Sequence, residues 1–264
     1  MKKILSTLLA FAAFTLTSCF NMNEDINLNN NGSGSYSVNL DMSGMMSMIQ
    51  MMKSMDTSAS SSNNLLGMGN IDSTISMKDY ADTLSNITPQ ERELFRNATM
   101  HITENDDDQV LKLKMDFPFK SMGDFQKIMT MMSENGGMGN MMGAMKGLGA
   151  NDMGGDDMMG GEDQKMPDIQ SIYTISSGDN FLEKKVDEKK LADLKANPQW
   201  AQMQMSAGMM GSYTTTTTIH LPRPAKTATG DKVKLSDDKK TITISASFSD
   251  LFDKPESLAY RVEF

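Results

Sequence analysis

From Tyr36 the chain alternates. Tyr36, Val38, Leu40 and Met42 are apolar and Ser37, Asn39 and Asp41 between them are polar, a period of two that predicts a half-buried strand. The period then changes: Met45, Met48, Ile49, Met52 and Met55 recur at helical spacing, so a helix is expected directly after it. A polar run over 57–64 breaks the pattern. Two short helices are expected over 77–86 and 89–97. The second carries a full start signal, with Thr88 as N-cap, Pro89 at the first helical position and Glu91 three residues beyond the cap. Strands over 99–104 and 110–119 flank the acidic turn Asn105-Asp106-Asp107-Asp108, and Leu111, Leu113, Met115 and Phe117 mark the buried phase. A helix over 121–134 shows Phe125, Ile128, Met129 and Met132 on one side. A second hairpin follows, 169–177 and 180–186 around Gly178-Asp179, and then helices over 187–195 and 198–210. The strand over 212–221 has Tyr213, Thr215, Thr217, Ile219 and Leu221 on one face. Strands over 232–235, 241–248 and 258–264, with one helical turn over 249–252, complete the chain. The sum is an α+β fold: an antiparallel, curved sheet with helices packed on one face.

Two stretches carry neither period. Residues 20–35 are rich in Asn and Gly and end Asn31-Gly32-Ser33-Gly34-Ser35, the composition of a tether. Residues 135–166 contain 10 Gly and 8 Met among 32 positions, with no β-branched or aromatic side chain. Glycine at that density opposes helix and sheet alike, so a disordered Met/Gly-rich insertion is expected there. The organisation that follows is an N-terminal leader over 1–18, a tether over 19–35, and a single α+β domain over 36–264 that carries the insertion.

The leader has its own logic. Lys2 and Lys3 precede a largely apolar run of 13 residues from Ile4 to Leu16, followed by Thr17-Ser18-Cys19, the layout of a secretory signal peptide. A run that short does not span a bilayer, which takes about 20 residues. Leu16-Thr17-Ser18-Cys19 resembles a bacterial lipobox. The resemblance implies cleavage between Ser18 and Cys19, a diacylglycerol on the Cys19 thiol and an acyl chain (palmitate) on its new amine. Cys19 is the one cysteine of the chain, which places it at the single position a lipobox requires. Phe20 follows it, not the Asp of the enterobacterial inner-membrane retention signal, so the outer membrane is expected. Glu24-Asp25 lies close behind and resembles the surface-export signals of Bacteroidetes lipoproteins.

Composition narrows the chemistry. One cysteine excludes a disulfide framework and Cys-based metal sites, and two histidines exclude His-rich metal centres. The net charge is −9, and removal of Lys2 and Lys3 with the leader makes it −11, which argues against a nucleic-acid partner and leaves membrane attachment to the lipid, since anionic headgroups repel such a surface. No Gly-x-Ser-x-Gly elbow or phosphate-binding loop is present. His101 and His220 fall on the polar phase of their strands, and the acidic turn lacks the ligand spacing of a calcium loop. No catalytic constellation emerges, and an enzyme is not expected.

The methionines are the unusual feature: 29 of them, against 11 Phe, 5 Tyr and 1 Trp. Thioethers are soft ligands suited to Cu(I), and Met138, Met141, Met142 and Met145 form two consecutive Met-x-x-Met spacings. Methionine is also an adaptable apolar filler of cores and lines surfaces that re-pack around varied apolar ligands. All three readings fit the sequence.

One further resemblance covers 32–56 and 168–264. It rests on Gly32-Ser33-Gly34 leading into the first strand, Ile219-His220-Leu221-Pro222, the turn at Gly230, and Ser236-Asp237-Asp238-Lys239-Lys240-Thr241-Ile242. These are similar to uncharacterised Bacteroidetes envelope lipoproteins and, more distantly, to the LppM-type lipoprotein domain. The resemblance implies a cell-envelope domain that handles lipid, and no catalytic residues. The expectation is therefore a lipid-anchored outer-membrane protein with a non-catalytic binding or structural role, hydrophobic-ligand binding in the first place. The membrane is its partner through Cys19, with a lipid or another envelope protein besides. Cu(I) sequestration through the Met-rich loop is the alternative, and an enzyme with no recognisable site the third reading.

Overall fold

The computed structural model describes residues 21–44, 70–83, 87–105, 107–134, 169–201, 204 and 214–264. The leader, Cys19, most of the helix expected after Met42, the Met/Gly-rich insertion with Met138, Met141, Met142 and Met145, and most of 202–213 lie outside the described residues.

The first finding corrects the tether. Residues expected to lead loosely into the domain form strand β1 (Asn21–Leu28), and Gly34, expected at its end, opens β2 (Gly34–Asp41). The two pair antiparallel from Asn21 opposite Asp41 to Leu28 opposite Gly34. Their glycines serve that hairpin. Gly32 holds φ +78° in the turn, and a Cβ on Gly34 would lie 1.9 Å from the Asn27 carbonyl oxygen and 2.5 Å from the Phe119 ring. Only glycine meets both demands.

Next come β3 (Ile71–Ser76), α1 (Lys78–Thr83), α2 (Pro89–Arg96), β4 (Thr99–Asn105), β5 (Val110–Phe119) and α3 (Met122–Glu134). A 3₁₀ turn (Ile169–Ile172) leads into β6 (Tyr173–Gly178), β7 (Phe181–Val186) and α4 (Glu188–Lys195). The chain ends with β8 (Thr214–His220), β9 (Thr227–Thr229), β10 (Val233–Leu235), β11 (Thr241–Ser247), α5 (Phe248–Asp253), a second 3₁₀ turn (Pro255–Leu258) and β12 (Tyr260–Glu263). Local chemistry places the helices as expected. Thr88 and Glu91 form the reciprocal capping box of α2, Asp187 accepts from the Lys189 and Lys190 amides at the start of α4, and Ser247 with Asp250 caps α5.

The α+β class holds, with two sheets instead of one. Eight strands run in the order β10-β11-β8-β1-β2-β5-β4-β3, and four in the order β6-β7-β12-β9. Every pairing is antiparallel except β1 with β8, which run parallel. In the large sheet the register puts like on like. Ile26 faces Tyr36 and Ile219, Tyr36 faces Phe117, and Met115 faces both Val38 and Met100. One face is thus apolar across the sheet. The other carries Asn23, Asn39, Lys114, His101 and Thr216 in a single row.

α3 lies on the apolar face, with Phe125 edge-on to Tyr36 (6.3 Å between ring centres) and against Phe119 (5.3 Å). α2 adds Phe95 against Phe117 (5.8 Å), and Trp200 packs on Phe252 of α5 (5.0 Å). The small sheet closes on the same face, placing Leu182, Tyr260 and Val262 in the common core.

Asn21, Asp41, Thr214 and Ser247 are neighbours at one end of the large sheet. The β1–β2 turn, Asn29–Ser33, is at the other.

Candidate functional site

Where the two sheets meet, a polar group sits in the apolar core. Met22, Glu24, Ile26 and Leu28 all take the inward phase of β1, so Glu24 is buried. Its two oxygens are satisfied from the neighbouring strands. Tyr36 on β2 donates its hydroxyl to Oε1 at 2.7 Å, and Thr217 on β8 donates to Oε2 at 2.6 Å. A buried carboxylate held by two hydroxyls meets the requirement that desolvated charge be hydrogen-bonded.

Lys184 enters from the small sheet. It follows the buried Leu182 by two positions on β7, and its Nζ lies 4.3 Å from the centre of the Tyr173 ring, a cation–π contact. Among the described residues its ammonium has no hydrogen bond or ion pair. Burial lowers its pKa, opposed in part by the charge of Glu24. The tyrosines around it shift the other way. Burial, then the Glu24 charge, pushes Tyr36 and Tyr260 well above the usual phenol range; burial and then the Glu256 charge do the same for Tyr173. Three phenols thus surround Glu24 and Lys184.

Glu24, Tyr36, Tyr173 and Lys184 border a small cleft of about 50 Å³ walled by Met22, Val38, Met129, Met132 and Ile175. A more polar cleft of about 260 Å³ adjoins it, with Met129, Tyr173 and Ile175 common to both walls, and Thr130, Ser176 and Lys190 on its outer side. The two clefts adjoin in a groove between α3 and β6, the smaller lined mainly by apolar side chains and the larger by more polar ones. The smaller holds only a few waters.

The expected site residues fall elsewhere. Cys19, Met138, Met141, Met142 and Met145 lie outside the described residues. His101 and His220 are on the opposite, polar face of the large sheet, His101 between Thr74 (2.8 Å) and Asp72 (2.9 Å), His220 beside Asp25 (3.3 Å). The acidic pair compared with an export signal is engaged in the fold: Glu24 in the buried cluster, Asp25 with His220. Among the described residues no three His, Cys, Asp or Glu side chains gather as a metal site, and no helix is long and apolar enough to cross a membrane. Sequence reasoning missed Glu24, Tyr36, Lys184 and Thr217 as a group. The one available signal was the alternation Met22-x-Glu24-x-Ile26-x-Leu28, which puts a carboxylate on the apolar phase.

No family model and no curated protein matches the chain. Among solved structures, the NMR structure of the folded domain of the Mycobacterium tuberculosis LppM protein is similar to it, with a TM-score of 0.39 and 8% identity, over 95% of this chain and 93% of that one.

Proposed function

We propose that this is a lipid-anchored protein of the bacterial cell envelope, held at the outer membrane through Cys19, and that its α+β domain works by binding, not by catalysis. The occupant of the groove is an amphiphile with an apolar chain and an anionic end. The observation that carries this reading is Lys184: an ammonium with no hydrogen bond or ion pair among the described residues, set in a wall of Met22, Val38, Met129, Met132 and Ile175. An anionic group beside Nζ gives that charge a partner, while the methionines accept varied chains. Glu24 has each of its oxygens hydrogen-bonded, by Tyr36 and by Thr217, and stays structural.

Two measurements test the two halves. Metabolic labelling with palmitate should mark the protein, and Cys19→Ser should abolish the label; an unlabelled wild type refutes the anchor. In the folded chain from residue 20 onward, a fluorescent fatty acid should bind, and I175W, which fills the groove, should remove that binding. Binding that survives I175W refutes the groove.

A further inference from the structure

We propose that the large sheet stands on the bilayer with the Asn21–Asp41–Thr214–Ser247 end toward the headgroups and the Asn29–Ser33 turn pointing away. This rests on the lipid at Cys19 and deepens that reading, from whether the protein is anchored to which surface meets the membrane.

The argument is one of chain length and pairing. β1 begins at Asn21, two residues after Cys19, and two residues fully extended reach at most about 7 Å. A tether that short fixes the start of β1 at the membrane unless β1 itself unravels. It is held against that on both sides. β1 pairs with β2 along its whole length and with β8 from Asn21 opposite Thr214 to Asn27 opposite His220. Peeling it away breaks two ladders, exposes Met22 and Ile26, and strips Glu24 of Tyr36 and Thr217. Extra reach therefore comes only with loss of the core. The opposite end lies about 23 Å further along the strand, at about 3.3 Å per residue.

Lying flat is the competing posture, and the outer face is poorly made for it. Among the described residues that face presents Asp25, Asp41, Asp72 and Asp116 beside Lys112 and Lys114, with no apolar patch, and the protein as a whole is acidic. An anionic leaflet repels it. The apolar face is not available, being covered by α3, α2 and the small sheet.

The single tryptophan makes the test direct. Trp200 packs on Phe252 in α5, the helix that follows Ser247, so it marks the end assigned to the membrane. The chain from Cys19 onward is coupled through its only thiol to a maleimide lipid in phosphatidylcholine vesicles that carry dansyl headgroups. Because the coupling is chemical, the posture is tested whether or not cells lipidate Cys19, and palmitate labelling judges the anchor separately. Energy transfer from Trp200 to the dansyl groups should be strong. It should be lost in N31W/W200F, whose reporter sits in the far turn. A Gly-Ser spacer inserted between Phe20 and Asn21 should lower the Trp200 signal. Equal transfer from both reporters, stronger transfer from N31W/W200F, or indifference to the spacer overturns the proposal.

Discussion

The two sheets keep their polar side chains in different places. In the large sheet, sorting is by phase. Its inward positions are mostly apolar, with Glu24, Glu104, Thr215 and Thr217 the polar exceptions, and its outward positions are mostly Asn, Ser, Thr, Asp, Lys and His. In the small sheet both phases are mixed. On β7, Leu182 shares its side with Lys184, while Glu183 on the other side is buried and held by Lys185 (2.9 Å) and by Arg261 (3.3 Å), its cross-strand neighbour on β12. Arg261 also lies over Phe181 (5.1 Å) and pairs with Glu263 (2.7 Å). The large sheet supplies stability by burial. The small sheet brings charge to the seam, and that is where the groove lies.

The largest break in this comparison is F117A. Phe117 is fully buried and touches the rings of Tyr36 and Phe95, and its truncation should cost about 3–5 kcal/mol in urea unfolding. A loss under about 1 kcal/mol would mean that the large sheet is not the main source of stability.

Glu24→Gln comes next. It replaces an oxygen that accepts from Thr217 or Tyr36 by an amide that donates, and should cost about 1–3 kcal/mol by the same measurement. An unchanged midpoint would show that the buried carboxylate is dispensable.

Smaller, and informative through its sign, is the pH dependence. The phenol pKa values of Tyr36, Tyr173 and Tyr260 are raised by folding, so their contribution is complete below the unfolded value of about 10 and fades as pH climbs above it. Lys184 behaves oppositely. Its pKa is lowered, so holding it charged costs stability below the unfolded value of about 10.4, and that cost disappears above it. Wild type should therefore weaken in alkali. K184M should be more stable than wild type at pH 7, by a margin that shrinks toward pH 11. A margin that grows with pH would contradict burial as the cause.

The smallest effect is expected from R261A. Arg261 is half-exposed and its pairs are screened by solvent, so the change should be slight and should diminish in high salt. A large, salt-independent loss would mean that the small sheet depends on its ion pairs as the large one depends on its core.

What could be read in the sequence follows the same division. The β4–β5 hairpin, the β6–β7 hairpin, the capping box of α2 and the buried side of α3 are local, and alternation or a cap announces each. β1 was not legible, because Asn21, Asn23, Asp25 and Asn27 are poor strand formers and Glu24 interrupts its apolar phase. What holds it as a strand is pairing on both sides, with β2 along its whole length and with the distant β8, whose Thr217 is 193 residues from Glu24. β3 is short, with only Ile71 and Ile75 to mark it, and β9 has three residues. Lys184 reads as an ordinary exposed strand position; the β6–β7 pairing sets it beside the Tyr173 ring, and only the packing of the small sheet on the large one and α3 adds the wall of methionine. Of the site, Met129 and Met132 were legible as part of the buried side of α3, and the polar cluster was not.

Native mass spectrometry of residues 20–264, purified from bacteria without added ligand, tests the central claim most directly. A retained anionic amphiphile, absent from I175W and from K184M but present in R261A, is the predicted result. A bare protein mass for the wild type, or an amphiphile that all three variants keep, would contradict it.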